Sequence, residues 1–256
     1  MKKIIVLLLS ILMVISICAC GSDTTDTNAD TNESTVSTQK EDDTKDNSSE
    51  LKKYFDQEKY TSQKDEPFEF SDGSYYVNTK YTLKDEATLS LSPDISVGST
   101  KITLNSSKVS ELLDDGWKTN RSADYTVKTN SIVTDGNAIS TDNRAITFHA
   151  FNHTESPIKF SDCTIEKIYL NYVSSTSKDA DFSCEGDINK SSSPDDVINV
   201  FGNPTKITIC ENYDKDGNFK SSDITLNYTQ SSEISIIFTF NSENENIRMT
   251  VAKFDF

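Results

Sequence analysis

From Lys206 towards the carboxyl end, apolar and polar residues alternate with period two in four successive runs. Ile207 and Ile209 come first, then Ile224, Leu226 and Tyr228, then Ile234, Ile236, Phe238 and Phe240, and finally Ile247, Met249 and Val251. Successive side chains of a strand point to opposite faces, so each run predicts a strand with one apolar side. The alternate positions, among them Thr225, Asn227, Thr229, Ser235, Thr239, Arg248 and Thr250, are polar. Asp216-Gly217, Gln230-Ser231-Ser232 and Glu243-Asn244-Glu245-Asn246 supply the reversals. The pattern is that of an antiparallel meander with one face on a helix and the other in water. The helix is predicted just upstream, over 194–201. Ser193 is a hydroxyl N-cap, Pro194 sits at N1, Asp195 and Asp196 complement the helix dipole, and Gly202 with Pro204 ends it. Val197, Ile198 and Phe201 form its apolar stripe.

A looser version of the same order lies upstream. Lys101 to Leu104 reads as a strand, and Ser106 or Ser107 caps a helix whose Val109, Leu112 and Leu113 share a face before Gly116. Strands are predicted at Tyr125 to Val133, Ala145 to Asn152 and Thr164 to Val173, with Asp135-Gly136 as the turn between the first two. Phe68 to Val77 and Tyr81 to Leu91 read as a hairpin added at one edge, and the charged residues 51–66 as a short helix or a continued linker. The expected fold class is therefore α+β, with short helices packed on antiparallel four-stranded meander sheets in two tandem copies. The organisation expected is 51–180 as an amino-terminal α+β region and 181–256 as the carboxyl-terminal helix and sheet.

The amino terminus has a different character. Lys2 and Lys3 precede an apolar run from Ile4 to Ile17 interrupted only by Ser10 and Ser16, which is an export signal too short to span a bilayer comfortably. It ends in Ile17-Cys18-Ala19-Cys20-Gly21, which resembles the lipobox of bacterial lipoproteins. That resemblance implies cleavage after residue 19, acylation of Cys20, and a stable anchor, because several hydrocarbon chains hold far better than one. Residues 21–50 carry nine acidic residues, two lysines, seven threonines and five serines, with only Ala29 and Val36 as aliphatics. So polar a stretch cannot offset its ordering entropy and is expected to be an acidic tether over 20–50, reaching about 30 Å as a coil.

Charge narrows the partners. The chain has 256 residues, 41 acidic and 25 basic, for a net charge of -16, and loss of the first 19 residues removes two lysines and gives -18. Such a surface repels nucleic acid and anionic bilayers unless a basic patch is segregated, and the linear sequence shows none. No nucleic-acid partner is expected.

Ser193-Pro194-Asp195-Asp196-Val197 leading to Phe201-Gly202-Asn203-Pro204, followed by strands rich in Tyr and Ile, resembles the pattern of the beta-lactamase inhibitory protein-like superfamily. That group includes small outer-membrane-assembly lipoproteins. The likeness covers residues 191–256 and extends in looser form to 100–173, where Gly116-Trp117 stands without the proline. It implies a binding or assembly module, not an enzyme, that presents a sheet face to another protein. The shared motif is structural and carries over no contact residue.

Candidate chemistry is sparse. Asn212 to Asp223 places oxygen side chains at positions 1, 3, 5 and 12 of a loop spaced like an EF-hand, with glycine at 6, so Asp214, Asp216 and Asp223 are candidate calcium ligands. Lys220 at position 9 and strands on both sides favour a plain hairpin turn. His149 and His153 share a strand face about 13 Å apart, too far to hold one metal ion. Cys163, Cys184 and Cys210 allow one disulfide, in any pairing, and Trp117 reads as core. Neither a nucleophile elbow nor a phosphate loop is present. No catalysis and no cofactor are expected. The function expected is that of a lipid-anchored protein on the extracellular face of a bacterial cell membrane, binding an extracellular protein or envelope component through Thr225, Asn227, Thr229, Ile237 and Thr239. A calcium-dependent binding or sensing module is the alternative.

Overall fold

The computed structural model describes residues 51–87, 89–141, 144–171, 182–230 and 234–253. The signal, the tether and Cys20 lie outside the described residues, as do the last two residues expected of the strand ending at Val173. The strands in chain order are β1 (Tyr60–Lys64), β2 (Phe68–Glu69), β3 (Tyr75–Leu83), β4 (Asp94–Val97), β5 (Thr100–Thr103), β6 (Lys118–Thr119), β7 (Thr126–Val127) and β8 (Ser131–Ile139). They continue with β9 (Ala145–Asn152), β10 (Ile158–Lys159), β11 (Thr164–Asn171), β12 (Phe182–Ser183), β13 (Lys206–Tyr213), β14 (Phe219–Gln230), β15 (Ile234–Phe240) and β16 (Asn246–Lys253). Also among the described residues are the short α-helices α1 (Val109–Asp114) and α2 (Pro194–Phe201) and a few 3-10 turns.

The expected α+β class does not hold. The molecule is mostly β, and its body is one 11-stranded antiparallel sheet in the order β1-β3-β13-β14-β15-β16-β11-β9-β8-β6, with β2 also on the outer edge of β3. The two predicted strand runs do not make separate four-stranded sheets. Their last strands, β16 and β11, pair antiparallel from Lys167↔Ala252 to Asn171↔Arg248 and fuse them. Period-two alternation specifies which side of a strand is dry but is silent on which strand lies next to it. Leaving two long edges open would expose unpaired backbone groups, which fusion avoids.

The pairing sets one face of the sheet apolar. Ile207, Leu226, Phe238, Met249, Leu170 and their neighbours lie cross-strand from one another and are buried. Helix α2 packs on this face: the Phe201 ring lies 5.2 Å from that of Tyr228 and 5.7 Å from that of Phe238. Its ends follow the sequence signals. Ser193 Oγ accepts the Asp196 amide, the Asp196 carboxylate accepts the Ser193 amide at 2.8 Å, and Gly202 takes φ +77° to end it, a conformation in the left-handed range that glycine tolerates best. Helix α1, the small sheet β12-β4-β5 and Trp117 join the same contiguous core, and the Trp117 indole N–H donates to Thr100 Oγ1 at 3.0 Å.

Local expectations need correction at five places. Asp135-Gly136 is not a turn but lies within β8, at a register shift against β9. A Cβ on Gly136 would meet the Phe148 ring at 2.8 Å and the Phe148 carbonyl oxygen at 2.9 Å, so the glycine serves close packing, and past the end of β8 the Ser140 amide donates to the Arg144 carbonyl at 2.9 Å. The strand expected from Tyr125 to Val133 breaks at Asn130 (φ +48°), where buried Asn152 donates to the carbonyls of Val127 and Lys128. Helix α1 starts from Lys108 rather than a serine, because the Glu111 carboxylate accepts the Lys108 amide while the Ser107 hydroxyl accepts that of Thr103. The hairpin expected between Val77 and Tyr81 is the uninterrupted strand β3, which pairs with the whole of β13, and residues 51–66 fold into two 3-10 turns and β1.

Substituting Gly136→Ala forces that contact against the immobile backbone of β9, so the variant is expected to lose about 1–3 kcal/mol of stability in chemical denaturation, as over-packed cores do.

Candidate functional site

On β13, β14 and β15 the positions of the second face are half-buried or exposed where those of the first are buried, whereas on β16 Thr250 and Ala252 of the same face are buried. All five predicted contact residues lie on it. Thr225 faces Thr239 across β14 and β15, with hydroxyl oxygens 3.3 Å apart; Asn227 faces Ile237, and Thr229 faces Ser235. Thr229 Oγ1 donates to Asn227 Oδ1 at 2.8 Å. The same register extends the row outwards, from Asn227 to Lys206 on one side and from Ile237 through Thr250 and Tyr169 to Thr147 on the other. β-branched side chains held by cross-strand hydrogen bonds have little rotamer freedom left to lose, so the face is preorganised for contact.

Fusion at β16 and β11 brings in residues that the linear reading did not join to the site. Lys167 lies opposite both Ala252 and His149, and its ammonium sits 4.5 Å from the centre of the Tyr169 ring. The His149 ring is 5.2 Å from that of Tyr169. Burial, and then the charge of Lys167, lower the His149 pKa from 6.5 to about 4. Alternation along β11 was the available signal for Lys167 and Tyr169; the missing fact was the neighbour.

The calcium candidates separate. Asp214 and Asp216 share the β13–β14 turn, where Asp214 accepts the amides of Asp216 and Asn218 and pairs with the Lys220 ammonium at 2.9 Å. Lys220 and Asn218 together hold the Asp214 carboxyl well below the usual range. Asp223 lies in β14 opposite Cys210, about 13 Å along the strand from Phe219 at the turn. Burial raises its pKa against the opposing pull of Arg248. Among the described residues no group of three or more His, Cys, Asp or Glu side chains gathers as a metal site would need.

The remaining reactive types are dispersed. Cys163, Cys184 and Cys210 form no disulfide with one another; burial raises Cys163 to about 11 and Cys184 to about 12, with help from Asp162 and Glu185 respectively. His153 Nε2 lies 2.8 Å from Oε1 of buried Glu166. An open depression of about 470 Å³ is lined by Ser92, Asp94, Ser183, Cys184, Glu185 and Asp187 among others. A thiol raised so far is no nucleophile at neutral pH.

Because His149 titrates at about 4 in the folded chain against 6.5 for an ordinary histidine, the unfolded state binds more protons between those values. The His149 contribution to stability is full above pH 6.5 and is lost as pH falls towards 4. Denaturation midpoints measured across that window should fall more steeply for the native chain than for His149→Gln. No helix among the described residues is long and apolar enough to cross a membrane. No family model matches the chain, and neither a curated protein nor a solved structure matches it.

Proposed function

We propose that this protein is a bacterial lipoprotein, held at the extracellular face of the cell membrane by fatty acyl chains on Cys20, and that it acts as a non-catalytic module binding an extracellular protein or envelope component. The observation that supports the binding role is the one-sided covering of the sheet. Helices and the small sheet close one face, and the other keeps Thr225, Asn227, Thr229, Ile237 and Thr239 in one contiguous, partly exposed row. Buried backbone pairing makes the scaffold rigid, so little ordering opposes docking there. The anchor is supported by the lysines, apolar run and lipobox of the first 21 residues.

The reading has two checks. Cys20→Ala should release the chain into the medium, and intact mass of the native protein should carry the acyl groups on Cys20. With an envelope protein captured by the full chain, Asn227→Ala and Ile237→Ala together should weaken association at least about tenfold, or about 1.4 kcal/mol. Undiminished association would count against the face.

A further inference from the structure

We draw no further inference here: the strongest candidate, the aromatic surface patch at the edge formed by β2 and β3, where exposed Phe68 and Phe70 stand against Tyr76, is an apolar patch for which nothing in the structure shows what covers it.

Discussion

The ladder between β11 and β16 runs from Lys167 opposite Ala252 to Asn171 opposite Arg248 and joins two runs of strands into one surface. On its dry side it sets Ile168 against Val251 and Leu170 against Met249, all buried in a single core. On its other side it sets half-buried Tyr169 beside buried Thr250 and half-buried Lys167 beside buried Ala252. Both the size of the core and the breadth of the open face follow from this seam. Two separate four-stranded sheets would each bury less apolar surface per residue, and small cores stabilise poorly.

Local signals were strongest where chemistry and geometry act over a few residues. The helix 194–201 is announced by Ser193, Pro194 and Gly202, and the strands β13 to β16 by unbroken alternation. Alternation also fixes which side chains share a face, so the placement of Thr225, Asn227, Thr229, Ile237 and Thr239 was legible before any strand neighbour was known. The seam was not legible, because partner choice between distant strands leaves no mark on either strand alone. Asp135-Gly136 misled for a related reason. Its composition suits a turn, but the glycine is required by the Phe148 ring, a contact made across the sheet.

The groups whose titration the fold shifts are spread over the molecule. Enzymes draw reactive groups into a concave, water-poor site where pKa values are shifted to useful ranges. Here the shifted groups are scattered: His149 lies on the open sheet, Asp214 in an exposed turn, and Cys163 in the core. Each of these shifts has a local structural cause, and these groups lie apart from one another among the described residues. A broad, stiff face of threonine and asparagine is suited to contact over area.

The buried thiols carry a consequence for survival outside a reducing compartment. With Cys184 raised to about 12 and Cys163 to about 11, the thiolate fraction at neutral pH is far below that of an ordinary cysteine, and both side chains are shielded by the core. Peroxide and disulfide exchange act on the thiolate, so these two sulfurs are chemically quiet. Cys163 and Cys184 can therefore stay reduced in oxidising surroundings, and they owe that resistance to packing rather than to any bond between them.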